Sequence, residues 1–181
     1  MVAFLAGTAC QDVDFRPEAS GPDAEITVVA DSSLWHGPVG EAIREELERD
    51  VTTLPQPESM FDVVHRPLTS SRALDQVQRR KNVLFVAPLS DTTNTARFIK
   101  ARLDSAVAAG VRDGRFSAFP RENLWYRDQL VYYITAPSTA ELAQAVHENG
   151  QRLRDRFHQL VLNRMQEEMY DEGRQFAIED S

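Results

Sequence analysis

Apolar residues along the chain alternate between short β-branched runs and stretches with helical spacing. The runs at 25–30 (EITVVA), 60–65 (MFDVVH) and 82–88 (NVLFVAP) are typical of strands that are buried on both faces of a sheet. A longer aromatic and β-branched segment, 124–136, predicts a fourth strand or a hairpin. The chain therefore offers four strand segments in all.

The stretches between these runs predict helices. Pro38 suits a first helical position, and apolar residues recur at helical spacing from there to about residue 50. A short helix is predicted over 70–80, and another from Thr92 or Thr93 to Gly110. Because parallel neighbours need crossover connections, the order βαβαβαβα predicts an α/β fold with an open, mostly parallel four-stranded sheet and flanking helices.

The last predicted helix is longer than such a sheet can cover. Ser138 and Glu141 have the spacing of a capping box, and apolar residues then continue for about thirty residues, or about 45 Å at 1.5 Å per residue. We therefore expect this long C-terminal helix to contact a missing C-terminal half, a second copy of the chain or another envelope protein. The predicted contact residues are Phe157, Leu160 and Met165.

The first 24 residues differ from the rest. Residues 1–10 are apolar or small and end in Cys10; Gly7 and Ala9 suit a signal peptidase, and the cysteine suits lipid attachment. Residues 11–24 contain two prolines and no apolar period, as in a tether. We predict a signal-peptide remnant and tether over 1–24 and a single α/β domain over 25–181. The alternative is an apolar N-terminus with an unrelated cysteine.

Charge and composition narrow the class of partner. The 181 residues, 42% of them hydrophobic, suit one domain with a substantial core. With 28 acidic and 20 basic residues the formal charge is −8, which argues against nucleic acid or an anionic membrane surface as the main partner. Cys10 is the only cysteine, so the sequence has neither a disulfide framework nor a cysteine metal signature.

Ligands of open α/β sheets bind beyond the carboxyl ends of the strands. The candidate ligand-binding residues are therefore Asp31, Trp35, His36 and Asp91. Trp35 and His36 precede a helix N-terminus, where backbone N–H groups can hold an anion. The alternative is a polar turn that only ends the strand and starts the helix.

No catalytic, metal or cofactor site is assigned. Asp31, Ser33 and His36 have the side-chain types of a hydrolase, but the GxSxG elbow is absent. Asp31, His36 and Asp91 could supply oxygen and imidazole ligands to a metal, at a spacing too generic to indicate one. The phosphate-binding patterns GxGxxG and GxxxxGK[ST] are also absent.

Several segments resemble a domain-of-unknown-function family of bacterial lipoproteins. They are 25–51 (EITVVADSSLWHGPVGEAIREELERDV), 54–65 (LPQPESMFDVVH), 81–89 (KNVLFVAPL) and 124–138 (LWYRDQLVYYITAPS). The resemblance covers about residues 25–170. It implies a lipoprotein signal, this α/β half and a further C-terminal half, and it supports lipidation of Cys10. The family brings no assigned activity, so it implies no catalytic residue.

Together these observations predict a domain of the cell envelope that is anchored to the membrane by a lipid on Cys10 and faces the periplasm. We expect it to act by binding or assembly rather than by catalysis. The alternative is a small-ligand binder or hydrolytic enzyme that uses the strand-end loops at 31–36. A concave site at those loops with perturbed titratable groups would favour the alternative.

Overall fold

A computed structural model of the chain describes residues 15–50, 58–115 and 117–179, with side chains as far as Tyr170. The elements in chain order are β1 (Glu25–Val29), α1 (Ser32–Trp35), α2 (Pro38–Leu47), β2 (Asp62–His65), α3 (Ser71–Gln78), β3 (Asn82–Val86), α4 (Asn94–Lys100), α5 (Ser105–Arg112), β4 (Ala118–Glu122), β5 (Leu130–Ile134) and α6 (Thr139–Glu179).

The strands form one mostly parallel sheet in the order β2-β1-β3-β5-β4. The first four strands in this order are parallel to one another, and β4 runs antiparallel to β5. The α/β class is confirmed, but the predicted count of four strands is wrong. The fifth strand, β4, was not predicted, because its sequence AFPRE is largely polar and contains Pro120, as a loop would. An edge strand tolerates proline, since one side of it forms no ladder.

Only the second half of the predicted strand 124–136 is extended, as β5, which forms a hairpin with β4. The connection contains two non-glycine residues with left-handed backbone, Asn123 at φ +49° and Asp128 at φ +55°. Gln129 is buried and donates from Nε2 to the carbonyl oxygens of Gln78 and Arg80, at 2.6 and 2.8 Å. The turn is therefore held by side-chain hydrogen bonds that an apolar pattern cannot reveal.

The helix predicted from Thr92 or Thr93 to Gly110 is two helices. Thr93 caps α4 by accepting a hydrogen bond from the Ala96 N–H at 3.3 Å. The chain then breaks, and Asp104 caps α5 by accepting from the Val107 N–H at 2.8 Å. A capping carboxylate inside a helical apolar pattern offers the backbone an alternative to continuing the helix.

Helices cover both faces of the sheet. Alternate strand side chains point to α2 and α6 on one face and to α3 and α4 on the other. Consequently β1, β3 and β5 are buried along almost their whole length. The α2–α6 side contains Ile26, Val28, Ile43, Leu84, Tyr132, Ile134, Leu142, Leu153 and Phe157, and the α3–α4 side contains Val29, Val77, Phe85, Phe98, Ile99 and Tyr133.

The N-terminal segment joins the packed body earlier than residue 25. Ala19 is buried, and its N–H donates to the Arg127 carbonyl at 2.9 Å, while the Arg127 N–H donates to the Pro17 carbonyl at 2.9 Å. The predicted tether is therefore corrected from Pro17 onward, because backbone hydrogen bonds attach this segment to the β4–β5 connection. The signal-peptide prediction and Cys10 lie outside the described residues.

The long C-terminal helix is confirmed as α6, which has 41 residues. Of its predicted contact residues, some are buried in the core and others are exposed to solvent. Phe157 is fully buried in the α2–α6 core, so its assignment as a partner contact is wrong, and Leu160 is half-buried against the same core. Met165 is 52% exposed. In the part of the chain that the structure describes, α6 and the other helices lack the combination of length and apolarity that crossing a membrane requires.

Candidate functional site

A cavity of about 400 Å³ lies at the carboxyl ends of β1 and β3. In the sheet, β2 lies on one side of β1 and β3 lies on the other. The strand order therefore reverses between β1 and β3. Open α/β sheets bind ligands at such a point. Of the four predicted ligand residues, only Asp31 lines it. The lining is Asp31, Ser32, Pro67, Leu68, Thr69, Thr93, Asn94, Thr95 and Arg97.

Asp31 is engaged in capping α1. Its Oδ1 accepts hydrogen bonds from the Ser33 N–H at 3.0 Å and from the Ser33 hydroxyl at 2.8 Å. Asp91 has a similar task, since its Oδ1 accepts from the N–H groups of Thr92 and Thr93 at 2.6 and 3.1 Å. Both carboxylates therefore form the polar turns that the sequence offered as the alternative to binding.

Neither Trp35 nor His36 lines the cavity. The Trp35 ring stacks on His65, with centroids 4.7 Å apart and planes at 7°, and the Arg44 guanidinium lies 4.8 Å from its centre. His36 is exposed and ends α1 through its backbone N–H, which donates to the Ser32 carbonyl at 3.1 Å. The hydrolase-like grouping of Asp31, Ser33 and His36 is thus a capped helical turn. Within the described ranges, no group of three or more potential metal ligands is assembled.

A second candidate site is the surface of α6 that faces away from the sheet. We call it the outer surface of α6; it comprises Gln159, Leu162, Met165, Gln166, Glu168 and Met169. Its apolar side chains are widely exposed, Leu162 at 44%, Met165 at 52% and Met169 at 65%. Three large apolar side chains at helical spacing, left in water, are typical of a contact surface.

A buried arginine fixes α6 to the amino-terminal edge of the sheet. The Arg164 side chain is only 3% exposed, and it donates to the Asp128 side chain at 2.8 Å, to the Asp128 carbonyl at 2.9 Å and to Asn82 Oδ1 at 3.1 Å. Asp23 lies 3.5 Å from the same guanidinium and also binds Lys81 at 2.9 Å. The buried charge is therefore neutralised, and each of the three guanidinium nitrogens donates a hydrogen bond.

A second polar contact joins α6 to α2. Glu46 accepts from His147 Nδ1 at 3.0 Å and pairs with Arg154, which also donates to the Glu46 carbonyl at 2.9 Å. Burial raises the pKa of the Glu46 carboxyl, but the hydrogen bonds from His147 and Arg154 and the charges of Arg154 and Arg49 outweigh it, so the pKa lies below its ordinary value. Gly150 permits this approach, because a Cβ there would overlap the Glu46 carboxylate.

Neither polar contact was predicted from the sequence, although one of them left a signal there. Arg164 falls in the apolar seam of α6, seven residues after Phe157 and eleven after Leu153, both buried. A charged residue on the buried stripe of a helix requires a buried partner. The partner itself could not be found in the sequence, because Asp128 reaches Arg164 through a left-handed turn.

Comparison with known proteins gives one match. The family described as Domain of unknown function (DUF8532) matches residues 19–170. Neither a curated protein nor a solved structure matches the chain. The match begins at Ala19, which is the first buried residue in the described part of the N-terminal segment.

Replacing Arg164 tests whether this residue holds α6 on the sheet. We expect Arg164→Met to lower the free energy of unfolding by about 3–5 kcal/mol, because it leaves the Asp128 carboxylate without its buried partner. The matched control is Arg156→Met, whose ion pair with Glu122 is about half exposed and should contribute less than about 1 kcal/mol. Urea denaturation measures both values. Equal losses would show that Arg164 has no special role.

The lowered pKa of Glu46 predicts a pH-dependent contribution to stability. A depressed carboxyl pKa stabilises the fold above the unfolded value of 4.5, and this contribution is lost as pH falls through the folded pKa. Glu46→Gln should cost about 1–3 kcal/mol at pH 7 and much less at pH 3. Glu45→Gln is the control, since its side chain is 69% exposed. Denaturation at both pH values measures the difference, and a pH-independent cost would contradict the prediction.

Proposed function

We propose that this chain, which belongs to the DUF8532 family, is a non-catalytic binding domain that joins a protein partner through the outer surface of α6. We propose further that a lipid on Cys10 anchors it to a membrane of the cell envelope, with the domain in the periplasm. The first proposal rests on the structure of α6, and the second rests on the N-terminal sequence.

One observation carries the binding proposal. Five large hydrophobic side chains are exposed among the described residues, and four of them, Leu162, Met165, Met169 and Tyr170, lie on α6. Each Å² of apolar surface left in water forgoes about 25 cal/mol. A partner that covered Leu162, Met165 and Met169 together would recover that free energy, and monomeric proteins seldom leave such a row uncovered.

The anchoring of α6 supports the same proposal. Phe157 and Arg164 are buried on the side of α6 that faces the sheet, so the helix cannot rotate its outer surface inward without breaking the core and the Arg164 hydrogen bonds. A binding surface on a rigid element keeps its geometry before the partner arrives, which lowers the entropic cost of binding. The outer surface of α6 meets this condition as far as Arg164, the last buried residue of the helix among those described.

The strand-end loops give weaker support to a ligand-binding or enzymatic role. A cavity is present there, but Asp31 and Asp91 are committed to helix and turn capping. Trp35 and His36 lie outside its lining. A catalytic site needs a nucleophile, base or acid in a shared geometry, and the described residues of this cavity do not assemble one.

The lipid anchor is supported by the sequence alone. Small residues at Gly7 and Ala9 precede Cys10, and the family resemblance noted above points the same way. A short tether between Cys10 and Arg16, whose carbonyl accepts a hydrogen bond from Arg127 Nε at 2.9 Å, would leave the folded body close to the membrane.

Site-specific photo-crosslinking tests the binding proposal. A photoreactive phenylalanine analogue at position 165, in the organism that encodes the protein, should give a discrete crosslinked product. The same analogue at position 148 should give none, because Glu148 is exposed on α6 but lies outside the outer surface. Absence of a product at 165, with normal expression and unfolding temperature, would refute the proposal.

Membrane fractionation tests the lipid anchor. With a complete signal peptide supplied upstream in a bacterial host, we expect the protein to sediment with membranes and to carry a lipid detectable by mass spectrometry. The Cys10→Ser variant should remain in the soluble periplasmic fraction, because serine cannot form the thioether. Equal partitioning of the two proteins would contradict the anchoring proposal.

A further inference from the structure

We propose that the partner of the outer surface of α6 is a basic amphipathic helix of another protein. This inference rests on the proposed binding function and specifies its partner. Three features of α6 carry it: the sign of its exposed charge, the spacing of its apolar side chains, and the chemistry of methionine.

The exposed charge on this part of α6 is acidic. From Gln159 to Tyr170 the charged residues are Arg164, Glu167 and Glu168. Arg164 is buried and paired with Asp128, so the charge that remains at the surface is that of the two glutamates. Glu168 belongs to the outer surface of α6, whereas Glu167 lines a separate pocket with Arg127. Neither glutamate has an ion pair with another residue in the described part of the chain. A partner with lysine or arginine beside its apolar contacts would complement this surface.

The apolar side chains match another helix in spacing. Leu162, Met165 and Met169 follow one another at intervals of three and four residues, which places them in a row along one side of α6. A row of this kind packs against the corresponding row of a second helix, whose anchors recur at the same intervals.

Two of the three apolar contacts are methionines. Methionine is unbranched and polarisable, so it adapts to side chains of different shapes. Gln159 and Gln166, which belong to the same surface, add uncharged hydrogen-bonding groups. An adaptable apolar row beside acidic residues is suited to a helix with apolar residues on one side and basic residues on the other.

Charge argues against the other occupants. A second copy of the chain carries the same net charge of −8 and the same glutamates, so its approach is opposed by repulsion. An anionic membrane surface is repelled for the same reason. These occupants, and an acidic helix, are the outcomes against which the proposal is tested.

The probe is a labelled 18-residue amphipathic peptide of leucine and lysine, added to the full chain and followed by fluorescence anisotropy. We expect it to bind, and an otherwise identical peptide with glutamate in place of lysine to bind at least tenfold more weakly. Met165→Gln together with Met169→Gln should weaken binding of the lysine peptide at least tenfold. Glu168→Gln should weaken it severalfold at low salt, with a smaller effect at 0.5 M NaCl as screening increases.

The matched control is Glu148→Gln, which removes the same charge from an exposed position of α6 outside the outer surface and should leave binding unchanged. Equal effects of Glu148→Gln and Glu168→Gln, or no effect of the double methionine variant, would show attraction to net charge alone and overturn the proposal. Self-association in sedimentation experiments that the double variant abolishes would also overturn it, in favour of a second copy. That result would leave the binding function intact, whereas loss of the crosslink at position 165 would refute the function itself.

Discussion

The burial of Arg164 is the constraint on which the arrangement of α6 depends. A guanidinium enters a protein interior only where its hydrogen bonds are satisfied, and here Asp128, Asn82 and the charge of Asp23 satisfy them. Asp23 precedes β1, Asn82 begins β3 and Asp128 precedes β5, so one side chain of α6 contacts the starts of three segments that the apolar pattern treats separately. This contact sets the register of the helix along the sheet, which nonpolar packing alone would leave less sharply defined.

The fixed register decides which residues of α6 reach solvent. With Leu153, Phe157 and Arg164 directed inward, Leu162, Met165 and Met169 are directed away from the core. Nearer the start of α6, Gly150 lets α2 approach closely enough for Glu46 to contact His147 and Arg154. The two polar contacts therefore lie on either side of the apolar packing around Leu153 and Phe157. They favour one orientation of α6 in a way that hydrophobic burial, which is not directional, cannot.

The core of the fold could be predicted from the sequence because burial on both faces leaves a continuous apolar run. This holds for β1 and β3, whereas β4 is polar, lies at the edge and contains Pro120, so its pairing depends on β5 rather than on its own pattern. The apolar spacing continues across the break between α4 and α5 and therefore predicted a single helix. The break is made by the cap at Asp104, a local hydrogen bond that the apolar pattern does not reveal. Of the candidate ligand residues, Asp31 lies beside a cavity, and its carboxylate forms the polar turn with Ser33 that the sequence offered as the alternative to binding.

The error over Phe157 has a geometric cause. Apolar residues of α6 from Leu153 onward follow two rows, one through Leu153, Phe157 and Leu160 and one through Leu162, Met165 and Met169. A count of apolar positions merges them into one seam. A helix with 3.6 residues per turn presents these rows on different sides, and the total of apolar residues does not say which side meets the sheet. The charged residue distinguishes them. Arg164 continues the first row and can be buried only against a carboxylate, whereas the second row is bordered by Glu168, an exposed carboxylate that forms no ion pair with the described residues. The row that contains the buried charge belongs to the core, and the exposed row beside Glu168 is the one through which we propose that a partner binds.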